Sequence, residues 1–219
     1  MKVIDLTQTF EPDMTVFPAK KAPLFEAAGT HEKDGYSETI IRLFTHTGTH
    51  LDPPRHMYAG RTSLDQFPVS QFIGKALVID ARPAKGSGEN AVEAITMKHL
   101  EPYGEKLNKA DFLLFNTGWD KKWKDASYFE GYPCVDDEVM EYILAGSYKG
   151  IGSDTYSLDP MSPTEHPRHY KLFKTKDIIN IENLCNLDKC GSELFRFSCF
   201  PVKIKDSDGA AARAVAWFE

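Results

Sequence analysis

The sequence predicts a mixed-sheet α/β fold, in which parallel and antiparallel strands share one sheet. In the middle of the chain, short apolar runs such as residues 112–115 alternate with segments that begin with helix-capping residues. Near the carboxyl end, Asp208 and Gly209 lie between two apolar segments, which is a strong signal for a β-hairpin. No segment has the length of an interdomain linker, so we expect residues 1–219 to form one domain.

The first half of the chain contains β-branched and apolar runs separated by turn residues. The run SETIIRLFT at residues 37–45 is typical of a strand, and Ser63 is a suitable N-cap for a helix. The predicted elements are a strand over 3–6, a loop through Pro12 and Pro18, a strand over 37–45, a short helix over 64–73, a buried strand over 76–79 and a loop over 85–90.

The second half alternates helices and strands before the closing hairpin. Thr96 and Asp136 are candidate N-caps, and the apolar runs between the helices have the length of buried strands. The predicted elements are helices over 96–106 and 136–145, strands over 112–115, 150–153 and 178–181, a helical turn after Pro163, and the two hairpin strands over 194–204 and 213–218.

Composition limits the class of protein. Hydrophobic residues make up 42% of the chain, enough for a packed core, and the net charge of −6 disfavours nucleic acid as a partner. We expect no membrane association, because no apolar run reaches membrane-spanning length, and a cytoplasmic location, because the first residues lack a signal-peptide core. The four cysteines are expected to be reduced and mostly buried, although Cys185 and Cys190 leave a disulfide or metal site as an alternative.

One segment carries most of the functional information: residues 46–56, HTGTHLDPPRH. It holds three histidines and one aspartate, and imidazole with carboxylate is the usual ligand set for zinc and also suits manganese or iron. The structural alternative, an accidental cluster of polar loop residues, explains this density of ligands less well. A structural zinc site is also disfavoured, because such sites rely on cysteine and none is near.

The backbone around the motif must bend for its histidines to share a metal. On a straight strand, the Cα atoms of His46 and His50 would be roughly 13 Å apart. A helix is disfavoured by the threonines, the glycine and the prolines. We therefore predict a tight loop in which Gly48 permits the bend and Pro53 and Pro54 stiffen the exit.

His56 follows the prolines and has two possible roles. It can be a fourth metal ligand, or a general acid/base beside the metal. We favour the second role, since a catalytic metal keeps one coordination position open and the reaction needs a group that exchanges protons near neutral pH.

The motif resembles the His-x-Gly-Thr-His-x-Asp-x-Pro-x-His signature of the cyclase-like metal-dependent hydrolases, which include the bacterial kynurenine formamidases and the isatin hydrolases. The resemblance extends over nearly the whole chain. Further segments similar to the family are Asp5-Leu6, Phe17-Pro18, Asn116-Thr117-Gly118-Trp119, Gly152-Ser153-Asp154 with Ser157-Leu158-Asp159, Pro167-Arg168-His169 with Leu172-Phe173, Ile181-Glu182-Asn183-Leu184, and Asp208-Gly209 with Arg213.

The resemblance implies a set of site residues and an assembly. It implies that His46, His50 and Asp52 bind one metal, that Asp52 bridges to a second metal held by His169 and Glu182, and that His56 is the catalytic acid/base. The metal would be Zn, with Mn possible, at one or two ions per subunit. The implied fold is a swivelling β/β/α domain, in homodimers or homotetramers whose exchanged amino-terminal segments line the site.

Two of these positions have alternatives. The spacing from His169 to Glu182 is one residue longer than the family pattern, and His166 competes for the ligand role. Glu182 lies in the apolar run IINIENL, where a buried carboxylate needs a partner, so a metal explains it better than a salt bridge to a lysine.

The implied activity is hydrolysis of a small-molecule amide: N-formylkynurenine to kynurenine and formate, a step of tryptophan catabolism. Alternatives are a cyclic amide such as isatin, a lactone or small ester, and, more distantly, a metal-dependent binding protein without turnover. Trp119 and Trp123, like Phe17 and Tyr156, are candidates for an aromatic wall, although such residues are more often core. No Gly-x-Ser-x-Gly segment surrounds Ser153 or Ser157, so a serine nucleophile is disfavoured.

Overall fold

The computed structural model describes residues 1–18, 20–83, 94–162 and 164–218. The predicted loop over 85–90 lies outside these residues. The strands are β1 Lys2–Asp5, β2 Leu24–Gly29, β3 Glu38–Arg42, β4 His50–Asp52, β5 Ile73–Asp80, β6 Ala94–Ile95, β7 Phe112–Asn116, β8 Cys134–Val135, β9 Gly150–Ser153, β10 Ile179–Glu182, β11 Phe195–Pro201 and β12 Ala210–Phe218. The α-helices are α1 His31–Asp34, α2 Met97–Leu100, α3 Lys106–Lys109, α4 Asp137–Ala145 and α5 Pro167–Phe173.

A large mixed sheet organises the fold, in the order β1-β12-β11-β5-β7-β9-β10-β4. Strands β5, β7, β9 and β10 run parallel, whereas β11, β12, β1 and β4 pair in antiparallel fashion. The start of β12 also pairs with β4, where Ala210 faces Leu51, so the sheet closes on itself. The predicted mixed-sheet α/β class is confirmed.

The two faces of the closed sheet build two apolar clusters. On β5, Ala76 and Val78 belong to the cluster inside the sheet, and Leu77 and Ile79 belong to the cluster outside it. Because alternate residues of a strand point to opposite faces, β5 is buried on both faces and needs cover on the outside. Helices α4 and α5 provide this cover with apolar residues such as Met140 and Phe173. The four cysteines are free and buried, as predicted.

Several predicted elements are confirmed within three residues at each end. Strands β5, β7, β9 and β10 occupy the predicted apolar runs, and α4 follows Asp136, whose side chain accepts a hydrogen bond from the backbone N–H of Val139. Asp208 and Gly209 lie between β11 and β12. Arg213 joins β12 to β1 through an ion pair with Asp5 at 2.6 Å.

Two predicted helices are wrong in extent. Residues 64–73 form two 3-10 turns, Leu64–Gln66 and Val69–Phe72, because Pro68 holds the preceding residue extended. The predicted helix over 96–106 begins after Thr96, as expected, but it divides into α2, a 3-10 turn and α3, since Gly104 has a positive φ of 49° that interrupts the helix. In the described part of the chain, no helix is long and apolar enough to cross a membrane.

The hairpin of β2 and β3 is predicted only in part. Strand β3 lies inside the predicted 37–45, but its partner β2 has the sequence LFEAAG, which contains no β-branched residue to indicate a strand. The two strands pair with each other only, apart from the main sheet, and every residue of β3 is exposed.

Candidate metal centre

Two neighbouring strands place the core of the site. In the antiparallel pair of β4 and β10, His50 faces Glu182, Leu51 faces Ile181 and Asp52 faces Asn180. Leu51 and Ile181 point into the inner apolar cluster, so the two polar pairs lie together on the opposite face. The loop predicted for this part of the motif is therefore wrong, because residues 50–52 form a strand. A strand of three residues is too short to show its alternation in the sequence.

The predicted bend lies just before this strand. Gly48 has a φ of 62°, and a Cβ there would lie 2.8 Å from the Met14 side chain and 2.9 Å from Phe10, so no larger residue fits. Asn183 donates a hydrogen bond to the Gly48 carbonyl at 3.0 Å, and its own carbonyl accepts one from the Thr49 hydroxyl at 2.7 Å. These contacts hold the bend against β10.

The ligand atoms converge on Asp52. His50 donates from Nδ1 to the Gly48 carbonyl at 2.8 Å, which leaves a lone pair on Nε2, 3.2 Å from Asp52 Oδ1. His46 Nδ1 is 2.7 Å from the same oxygen. Asn180 donates to Asp52 Oδ2 at 3.0 Å and to Glu182 Oε1 at 2.9 Å, which fixes the two carboxylates side by side.

Helix α5 brings His169 to this group. Its Nε2 lies 3.2 Å from Glu182 Oε1 and 3.7 Å from Asp52 Oδ2. Its Nδ1 is 2.7 Å from Asp159, a fully buried carboxylate, so the lone pair of Nε2 faces the site. A carboxylate behind a histidine is the usual support for a metal ligand. The competitor His166 is half-buried, with its ring centroid 6.2 Å from that of His169.

His56 lies at the end of a 3-10 turn, Pro54–His56, and faces the other histidines. Its ring centroid is 4.0 Å from that of His46 and 5.9 Å from that of His169. Part of the residue is open to solvent, unlike the buried His50 and Asp52. This position suits a group that exchanges protons with a substrate.

Among the residues that the structure describes, three groups of side chains have potential ligand atoms within 4.8 Å of one another: His46 with Asp52 and His56, His50 with Asp52 and Glu182, and Asp159 with His166 and His169. Asp52 belongs to the first two groups. The donor set of imidazole nitrogens and carboxylate oxygens fits zinc or manganese. Because His56 belongs to the first group, its alternative role as a metal ligand also agrees with the geometry.

The charges in the site are strongly coupled. Burial opposes the charged form of His46, but hydrogen bonds to Asp208 and Asp52 outweigh this effect and raise its pKa to about 9. Burial lowers the pKa of His56 to about 3, and the nearby charge of Asp52 opposes this shift only in part. His56 is therefore neutral at pH 7, with one ring nitrogen unprotonated.

A cavity of about 210 Å³ opens onto these residues. Phe17, Tyr132 and Tyr156 form one wall, with the rings of Phe17 and Tyr156 stacked at 5.9 Å. Trp119 and Trp123 do not line it: Trp119 donates from its indole to the Tyr128 carbonyl at 2.8 Å, and Trp123 packs against the ring of Tyr128. The aromatic wall is thus built by Phe17 and Tyr156, two of the candidates from the sequence, and by Tyr132.

The comparison with known proteins identifies the family. The sequence model of the Cyclase family ("Putative cyclase") matches residues 4–160. The chain belongs to the Cyclase family. A kynurenine formamidase of Salinibacter ruber is 28% identical over 221 residues, covering 98% of this chain and 97% of its own.

Solved structures share the fold. Isatin hydrolase A from Labrenzia aggregata, bound to benzyl benzoate, superposes with a TM-score of 0.84 at 24% identity, covering 98% of this chain and 93% of its own. A protein from Bacillus stearothermophilus, described as a predicted metal-dependent hydrolase, gives a TM-score of 0.77 at 24% identity, covering 98% and 97%. The predicted family is confirmed, and the predicted enzyme class, a metal-dependent amidohydrolase, agrees with the names of these relatives.

Sequence reasoning missed several residues of this Cyclase-family site. Asp208 Oδ2 lies 3.3 Å from His46 Nε2, on the side of the ring away from Asp52. Asn180 bridges the two buried carboxylates. In the sequence Asp208 belongs to a predicted turn and to a segment similar to the family, but neither indicates its contact with His46, which depends on the pairing of β12 with β4. Asn180 carries a detectable signal, since it lies two residues before Glu182 and therefore on the same face of a strand.

Proposed function

We propose that this chain is a metal-dependent amidohydrolase that cleaves N-formylkynurenine to kynurenine and formate. The observation that carries the proposal is Asp52, shared by two His/carboxylate groups at the floor of an aromatic-walled cavity. Its relatives named kynurenine formamidase align with nearly the full chain, which supports the choice of substrate.

In this proposal, His46, His50 and Asp52 would hold one cation, and His169 and Glu182, together with Asp52, would hold a second if two are bound. Zinc fits these donors, and manganese fits them as well, at one or two ions per chain. When bound, the metal would activate water and polarise the scissile carbonyl. His169 rather than His166 is the proposed ligand, since its Nε2 faces Glu182 at 3.2 Å.

The protein side chains supply positioning and proton transfer. The stacked rings of Phe17 and Tyr156 hold the aromatic ring of the substrate against the cavity wall. The hydroxyl of Tyr132 donates to the Asp159 carbonyl at 2.6 Å, which leaves its ring fixed at the cavity. His56, neutral and open to solvent, accepts a proton as water attacks and delivers it to the leaving arylamine nitrogen.

The test is turnover of N-formylkynurenine by purified protein, with metals quantified on the same sample. We expect hydrolysis that a chelator abolishes and that zinc or manganese restores. Isatin serves as the cyclic amide for comparison. If the protein hydrolysed isatin faster than N-formylkynurenine, cyclic amides would replace N-formylkynurenine as the proposed substrates. Tightly bound metal without turnover of either compound would contradict the proposed reaction.

We further propose that residues 1–219 form a single domain of the swivelling β/β/α type that assembles into homodimers or homotetramers. The closed sheet, which pairs β1 with β12, supports a single domain. The exposed side chains of Leu24, Ile40 and Ile41 on the β2–β3 hairpin support an interface between copies. Light scattering during size-exclusion chromatography tests the assembly, and a monomeric mass would contradict it.

A further inference from the structure

The cavity contains one feature that metal binding and proton transfer do not use. Among the described residues that line it, Lys20 is the only lysine or arginine. The floor carries Asp52 and Glu182, and the whole chain has a net charge of −6. Lys20 therefore carries the one ammonium or guanidinium group among the described lining residues that can attract the negatively charged group of a ligand.

A tight turn places Lys20 at the rim of the cavity. The backbone N–H of Lys20 donates to the Phe17 carbonyl at 2.8 Å, and both residues line the cavity. The Lys20 ammonium lies 5.4 Å from the centroid of the Phe44 ring, and the residue is half-buried. The Lys20 side chain thus lies at the rim of the cavity, with its ammonium over the Phe44 ring.

Lys20 has no anionic partner within the described part of the chain, where no carboxylate lies within 4.0 Å of its ammonium. By contrast, Lys124 pairs with Glu11 at 2.8 Å and with Asp13 at 3.2 Å. A half-buried ammonium without a counter-ion favours an anion supplied from outside.

We propose that Lys20 forms a carboxylate subsite, which binds the acidic group of a substrate whose aromatic ring lies against Phe17 and Tyr156. The inference rests on the proposed function and narrows its substrate class to acylated arylamines that carry a carboxylate. N-formylkynurenine belongs to this class, because its side chain bears a carboxylate beside the formamide-substituted ring.

The test compares Lys20→Met, which keeps most of the length of the side chain and removes its charge, with Lys20→Arg. Lys21→Met is the matched control, since Lys21 is exposed and does not line the cavity. With N-formylkynurenine, we expect Lys20→Met to raise KM about tenfold at unchanged kcat, as loss of a charge-assisted hydrogen bond predicts. With 2-formamidoacetophenone, which lacks the amino-acid group, KM stays unchanged. We expect Lys20→Arg, which keeps the positive charge, to have a KM for N-formylkynurenine close to that of the wild type.

A binding measurement separates this subsite from the proposed reaction. Calorimetry with the metal-loaded protein gives the Kd of L-kynurenine and of 2-aminoacetophenone, which require no turnover. If the wild type hydrolyses neither formamide, the proposed function fails, whereas an approximately tenfold weakening of L-kynurenine alone in Lys20→Met still supports the subsite. The subsite would be overturned if Lys20→Met weakened the binding of L-kynurenine and 2-aminoacetophenone equally. It would also be overturned if Lys20→Met weakened L-kynurenine binding no more than Lys21→Met does.

Discussion

Gly209 lies beside the His46 imidazole, where the β11–β12 connection meets the proposed metal centre. A Cβ at this position would lie 2.5 Å from His46 Cε1 and 2.8 Å from Nε2. Ordinary contacts between carbon atoms are roughly 3.5–4.0 Å, so the ring must retreat by about 1 Å. The backbone of Gly209 lies outside the left-handed region, so Gly209→Ala changes the space available and introduces no backbone strain.

The imidazole cannot retreat freely. Its Nδ1 is 2.7 Å from Asp52 and its Nε2 is 3.3 Å from Asp208, so a shift of the ring breaks or stretches both contacts. A misplacement of about 1 Å at a catalytic group can cost about 100-fold in rate, and disturbed support of a ligand costs about 10–100-fold in metal affinity. We expect Gly209→Ala to weaken zinc binding by about 10–100-fold and to lower kcat/KM for N-formylkynurenine at least as much.

The assay is zinc titration by calorimetry, with thermal unfolding of the metal-free protein measured alongside. Gly60→Ala is the matched control, because a Cβ there meets nothing within 4 Å. We expect the control to bind zinc as the wild type does. If Gly209→Ala binds zinc as tightly as Gly60→Ala and both proteins are folded, His46 is not a ligand in this geometry and the reasoning is refuted.

Three further predictions concern other parts of the site and its surroundings. His56→Ala should lower turnover by about 10²–10⁴-fold with metal content unchanged, measured on one sample, whereas loss of metal would make His56 a ligand. Asp159→Asn removes the carboxylate 2.7 Å from His169 Nδ1, so calorimetry should show one ion bound about 10–100-fold more weakly, and unchanged affinity would contradict the support role. Burial raises the pKa of Asp154 from 3.8 to about 6 despite its hydrogen bonds from Thr117. The folded state therefore binds more protons than the unfolded state between about pH 4 and 6, and this group makes the free energy of unfolding fall as pH rises through that window. Urea titrations of the metal-free protein should show a steeper fall in the wild type than in Asp154→Asn, and equal slopes would rule this out.

Elements whose signal is local could be predicted from the sequence. The apolar run of β7, the N-cap of α4 at Asp136 and the Asp208-Gly209 turn are each specified by adjacent residues. Elements that depend on distant partners could not. Strand β2 lacks β-branched residues and forms by pairing with β3, and closure of the sheet rests on two residue pairs between β12 and β4.

The site follows the same division. His46, His50, Asp52 and His56 lie within one motif, so their residue types and spacing are enough to indicate a metal. The fold brings His169 and Glu182 to the same place, as the family resemblance implied. The sequence assigns no site role to Asp208, because this turn residue far along the chain reaches His46 only through the closed sheet.

The residues of the proposed centre come from two kinds of backbone: paired strands hold the carboxylates, and a short turn carries His56. Asp52 and Glu182 stand on strands whose alternate residues, Leu51 and Ile181, are buried in the core. A slip of one residue would turn Asp52 into that core and Leu51 out of it, so the register that buries the apolar pair also fixes the carboxylates. His56 instead comes from a short 3-10 turn outside the sheet. The rigid part of the site is therefore proposed to hold the metal, and the irregular part to carry out the proton transfer.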